Sequence, residues 1–331
     1  MKTTMDICLC GPSALELWRD IDQITPSHAD EDAPLLATNH NPISPPRVIP
    51  TRELAASLLP KGLVGLTLPI HALVNAASLR GRGEYLASHV YSQTLPVGSV
   101  ALVGPRAGCC TPALFLAQMA SHADLPRLIR IAYEVCGSYS IMAESWQGFR
   151  ERVPLATTRQ LLAYAIRSKG IPGMQLVIRA LKHVNDGSAS PMETSLTMLL
   201  CLPGKLGGFG LPKPLLNHPL PLSEKLRIMT GRQQYVPDLY WPEGNVAVEY
   251  DGADYHSSEE QIADDLRRRN ILTSLGITVI VVRKEQLRDW RELEHLARTV
   301  ASFLGKRVRP RASNWMQLHG ALRREVLGRH S

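Results

Sequence analysis

Hydrophobic positions recur at helical spacing over residues 53–59, 112–120 and 125–134, and in short β-prone runs over 63–68 and 99–103. That mixture predicts a small α+β unit. Residues 1–22 predict a short helix, and residues 24–50, rich in Pro, Asn, Ser and Asp, predict a linker. Two more helical patterns, 158–166 and 174–184, flank Gly170-Ile171-Pro172-Gly173. The layout suits a helix-turn-helix, but two short helices about a Gly/Pro turn are more commonly a connector. Asp186-Gly187-Ser188 then breaks the texture and places a boundary near residue 185.

Past that boundary the period changes again. Residues 190–200 read as a helix opened by Ser190, with Glu193 three positions on in capping-box spacing. The glycine cluster 204–210 reads as a loop, because it lacks the Gly-Lys-Ser/Thr ending of a phosphate-binding loop. Two β-prone runs, 235–241 and 246–252, flank Pro242-Glu243-Gly244-Asn245 and predict a β-hairpin. A helix over 257–275 ends at Gly276, residues 277–282 are apolar on both faces as in a central strand, and 289–304 read as a closing helix. The resulting plan is an α+β domain over 1–150, a helical connector over 151–187, a second domain over 188–304 and a basic tail over 305–331.

The hairpin carries the candidate chemistry. If it is symmetric about its turn, residues whose numbers sum to 487 face each other, which sets Asp238 opposite Glu249. Opposed Cβ atoms lie about 4.5–5.5 Å apart, and like charges there are destabilising unless something neutralises them. By the two-residue period Asp251 shares their face, so three carboxylates gather on one side of the sheet. Such hard oxygen donors suit Mg²⁺ or Mn²⁺. Glu193 lies on the stripe of Leu196, Thr197 and Leu200, and its carboxylate has two readings, helix cap or fourth acid of the site. On the helix over 257–275, Asp265, Arg268 and Arg269 fall near the apolar stripe, whereas Asp264 and Arg267 face water.

Charge changes the picture mainly at one end. Lys and Arg number 37 against 30 Asp and Glu, a net +7, and residues 305–331 hold seven bases and one acid, a net +6. A basic chain favours a polyanionic partner. Arg267, Arg268, Arg269, Lys306, Arg307, Arg309 and Arg311 are therefore the candidate phosphate contacts. The six cysteines lack CxxC spacing and read as buried thiols, and the apolar stretch 63–79 is interrupted by Pro69, His71 and Asn75. The expectation is a reduced, cytoplasmic protein without a membrane span.

Together, Glu193 on a helix, Pro237-Asp238, Glu249-Tyr250-Asp251-Gly252 with His256, Asp265-x-x-Arg268 and the run 272–276 resemble a known family. They are similar to the very-short-patch-repair-like endonuclease domains of the PD-(D/E)XK nuclease superfamily, over residues 188–304. The resemblance implies an α/β fold, a restriction-endonuclease-like mixed sheet flanked by helices, that holds Mg²⁺ or Mn²⁺ and hydrolyses a DNA phosphodiester. It implies Asp238 and Glu249 as metal ligands and Glu193 as a ligand directly or through water. Asp251 stands where the superfamily usually has lysine, as a further ligand or an acceptor for the attacking water, and Arg268 is expected to supply positive charge. The alternative is a DNA-binding regulator whose nuclease domain is inactive. RNA is not separated from DNA as substrate, although an aromatic content of 5% offers no stacking platform for single strands. Gly11-Pro12-Ser13-Ala14-Leu15, the 111–120 helix and Glu134-Val135-Cys136-Gly137 also resemble the AbiEi type of abortive-infection antitoxin. No antitoxin role follows, because a shared scaffold does not carry function.

Overall fold

The computed structural model describes residues 5–21, 38–59, 65–81, 83–142, 148–252, 276–308 and 313–328. The chain forms two compact units, one of Met1–Val135 with Ser140–Val184, the other of Cys136–Tyr139 with Asn185–Ser331. In the first, β1 (Ile7–Leu9), α1 (Gly11–Arg19), α2 (Arg52–Leu58), β2 (Ile70–Val74), β3 (Leu86–Val90), β4 (Val100–Gly104) and β5 (Ala107–Cys110) precede α3 (Pro112–Met119) and α4 (Leu125–Cys136). Its mixed sheet has the order β3-β2-β1-β5-β4.

Three expectations for this unit are corrected. The helix expected over 1–22 is split, since residues 7–9 form a fully buried strand before α1 begins. A three-residue run with both faces covered has no alternation to betray it. Of the strand expected over 63–68, residues 63 and 64 lie outside the described residues and 65–68 are turn and irregular; the described strand is β2. The linker expected over 24–50 is in part docked: Asn39 Oδ1 accepts from the backbone N–H groups of Ser99 and Val100, each at 2.9 Å.

After the short strands β6 (Tyr139–Ile141) and β7 (Phe149–Glu151), the connector helices α5 (Thr158–Arg167) and α6 (Met174–Leu181) pack on α3 within the first unit. Gly173 makes this close approach possible. Its φ is +85°, and a Cβ there would stand 2.1 Å from the Ala117 carbonyl oxygen.

The second unit is built on α7 (Pro191–Cys201), followed by β8 (Leu215–Leu216), β9 (Leu220–Pro221), α8 (Glu224–Thr230), β10 (Gln234–Tyr235), β11 (Leu239–Trp241), β12 (Val246–Asp251) and β13 (Thr278–Arg283), with helices at Lys284–Arg288, Trp290–Phe303 and Trp315–Leu327. The hairpin register is Leu239↔Val248, Tyr240↔Ala247 and Trp241↔Val246, so opposed numbers do sum to 487. Its turn is a short 3₁₀ segment closed by Asn245 at φ 45°. The sheet order is β13-β12-β11-β8, with β12 and β13 parallel.

That order corrects the reading of residues 277–282 as a central strand, because among the described residues β13 is the edge. Its Val279, Ile280 and Val281 are only half-buried. An apolar run records that both faces are partly covered, not how many strands lie beside it.

The C-terminal segment is also corrected. Residues 315–327 form a helix with Trp315, His319 and Leu322 buried. Trp315 Nε1 donates to the Gly208 carbonyl at 3.1 Å, and His319 Nδ1 donates to the Gly207 carbonyl at 2.7 Å. Burying one leucine-sized side chain contributes about 1.5–3 kcal/mol. Docking this apolar stripe therefore outweighs leaving the segment solvated as a tail, and the bases Arg323 and Arg324 lie outside the stripe.

Candidate functional site

Helix α7 is covered on every side, since all residues from Glu193 to Leu200 are buried. Its polar side chains are correspondingly partnered. Thr194 Oγ1 bonds Tyr139 Oη at 2.9 Å and Ser188 Oγ at 2.8 Å, and Thr197 Oγ1 donates to the Glu193 carbonyl at 2.8 Å. Ser195 Oγ lies 2.7 Å from the Val326 carbonyl of the C-terminal helix.

The helix start follows the capping expectation with one change. Ser190 Oγ accepts from Glu193 N at 3.1 Å, but the Glu193 carboxylate accepts from Ala189 N at 2.8 Å, one residue before the cap. The same Oε2 accepts from Asn217 Nδ2 at 2.6 Å. Asn217 also donates its backbone N–H to the Asp238 carbonyl at 3.0 Å, tying the helix start to the residue just before β11.

Burial first, and the negative charge of Asp238 second, push the Glu193 carboxyl up to about 7, against the hydrogen bonds from Ala189, Asn217 and Ser190. Two acids distant in sequence thus feel each other. Asp238 is oriented by the Tyr250 backbone N–H, which donates to its Oδ2 at 2.8 Å. Glu249 is buried on β12, next to Val248, whereas Asp238 is a bend residue just before β11, so the hairpin ladder ends at Leu239↔Val248, short of the expected pairing of Asp238 with Glu249.

Asp251 is drawn elsewhere. On parallel β12 and β13 it is the Cα partner of Arg283, and Arg283 Nε lies 3.4 Å from its Oδ2. Among the described residues no group of three or more His, Cys, Asp and Glu side chains is placed to hold a metal ion, so the four acids do not form one such group. Of the four, Glu193 and Asp238 are the pair that interacts, each negative charge opposing the other. Mg²⁺ is commonly held by one or two carboxylates with water and substrate phosphate completing the shell, so Glu193 and Asp238 are the residues that could hold one.

His256, Asp264, Asp265, Arg267, Arg268, Arg269, Arg309 and Arg311 lie outside the described residues. Lys306 and Arg307 are exposed. Two residues of the site carried no usable sequence signal: Asn217, which reads only as a turn residue before His218-Pro219, and Arg283, which reads only as the charged end of an apolar strand. All six cysteines are described; no disulfide forms among them, and five are buried. No helix of the described residues is long and apolar enough to cross a membrane. Comparisons with models of known protein families, with curated proteins and with solved structures find no match to this chain.

Proposed function

We propose that the second unit is a metal-dependent DNA endonuclease or nickase, with Glu193 and Asp238 as the primary Mg²⁺ or Mn²⁺ ligands and Glu249 beside them. The observation that carries this reading is the Glu193 carboxyl, raised to about 7 by burial and by the Asp238 charge. A buried carboxyl raised by a second, half-buried acid is a costly arrangement, and strongly perturbed carboxyls concentrate at functional sites. Bound there, the divalent ion supplies Lewis-acid charge for a phosphoryl oxygen and a water of lowered pKa. Asn217 and the Tyr250 N–H keep the two carboxylates oriented, and Glu193, titrating near neutrality, can release its proton as a cation arrives.

The test compares wild type, Asp238→Ala and Glu249→Ala on plasmid DNA with Mg²⁺ or Mn²⁺. Wild-type nicking that falls by 10²-fold or more in both variants is the expected result; equal rates in all three overturn the reading. One observation favours the second reading, a DNA-binding regulator with an inactive nuclease domain: no group of three acids is placed for a metal among the described residues. Salt-dependent DNA binding with neither cleavage nor a metal-induced rise in Tm is its signature.

A further inference from the structure

We propose that Arg283 is the residue through which the second unit grips a DNA backbone phosphate beside its acids, an inference that rests on the nuclease reading above. Asp251 and Arg283 are the last pair of the β12–β13 ladder, so both side chains leave the same carboxyl end of a parallel pair. Ligands of open sheets gather outside such ends. Glu249 lies two residues earlier on β12, on the same face as Asp251. A phosphate approaching this end meets the Asp251 carboxylate with Glu249 behind it on the same face, so its binding calls for a cation at this edge.

Arg283 meets that requirement. Its Nε lies 3.4 Å from Asp251 Oδ2, while its side chain remains 58% exposed. The backbone beneath is anchored, because Arg283 N donates to Gln286 Oε1 at 3.0 Å at the start of the next helix. A guanidinium presents five N–H donors in a planar fork, a geometry that serves a carboxylate on one edge and a phosphate on another. Exposed bridges contribute little to stability, so fold maintenance does not account for a cation held at this position. Lys284 and Arg288 just downstream are exposed, but so are Glu285 and Asp289, so no net positive charge is added there and the contact falls to Arg283 itself.

The experiment uses the full chain and two conservative variants, Arg283→Gln and Arg283→Lys. Binding to a short DNA duplex is titrated in EDTA over a range of salt concentrations, and plasmid nicking is followed separately in Mg²⁺ or Mn²⁺. Arg283→Gln is expected to bind roughly tenfold more weakly and to lose about one unit of the salt slope, as for one lost phosphate contact. Its nicking rate is expected to fall by about 10²-fold, and Arg283→Lys to recover the slope but only part of the rate, since a point charge lacks the fork. Wild-type affinity and slope in Arg283→Gln overturn the proposal. If wild-type protein nicks nothing in either metal, the nuclease reading falls; the salt slope then decides on Arg283 alone, a reduced slope upholding the phosphate contact and an unchanged one ending it.

Discussion

At the scale of single residues, Glu193 sets the chemistry of the site and also strains it. Its folded carboxyl keeps a proton up to about pH 7, whereas the ordinary value is 4.5. Between those values the folded state binds more protons than the unfolded one, so a contribution fully present below about pH 4.5 is lost as pH rises through 7. The difference corresponds to on the order of 3 kcal/mol. Glu193→Gln cannot ionise. In metal-free buffer its Tm relative to wild type is therefore expected to climb between pH 5 and pH 8, and millimolar Mg²⁺ to narrow the gap at pH 8 by stabilising wild type alone. A gap that does not change with pH contradicts this account of Glu193. Asn217 works beside it: one side chain bonds the Glu193 carboxylate and the Gly187 carbonyl while its backbone bonds that of Asp238.

At the scale of elements, α7 depends on the C-terminal helix for part of its cover. Ser195 of α7 meets the Val326 carbonyl, and the glycine loop before β8 receives Trp315 and His319, whose rings stack at 4.6 Å. Gly207 is the critical contact, with φ +90° and a would-be Cβ 2.4 Å from the Leu318 carbonyl oxygen. Gly207→Ala is expected to cost about 2–4 kcal/mol through left-handed strain and the backbone clash. Hydrogen exchange should then accelerate across residues 315–327, with a loss of nicking wherever α7 shifts. Wild-type exchange in that helix would show that the loop and helix are not coupled as the contacts require. The glycine cluster thus serves close backbone approach, which explains a composition that matched no phosphate-binding loop.

At the scale of the whole molecule, each unit contains a histidine whose basicity burial lowers, His71 in the first and His319 in the second. His71 Nδ1 lies 2.8 Å from His89 Nε2, a bond that requires one of the two nitrogens to be unprotonated. His319 sits near Arg323, whose charge lowers it further. In both cases the unfolded chain takes up a proton near pH 6.5 that the folded chain resists, so stability falls as pH drops below that value. Glu193 has the opposite sign over the same range. Calorimetry is therefore expected to show two transitions, one for each core, with the first-unit transition falling more on acidification from pH 7.5 to 5.5. In Glu193→Gln the second should become acid-sensitive as well. Equal acid shifts of both transitions in wild type and variant would mean that these groups do not control the pH response.

Much of the second unit could be read from local pattern. The capping residues of α7, the Pro-Glu-Gly-Asn turn and the hairpin register of Leu239 with Val248 all follow from spacings of two, three and four residues, which backbone geometry imposes on any chain. Strands without alternation, such as residues 7–9 and 107–110, were not legible, because periodicity vanishes when both faces are covered. The partners of each acid were not legible either. Asn217 reaches Glu193 across 24 positions and Arg283 reaches Asp251 across a parallel crossover. Local sequence specifies which residues share a face, but the pairing of distant charges depends on how strands and helices are stacked, and that is settled only when the core closes.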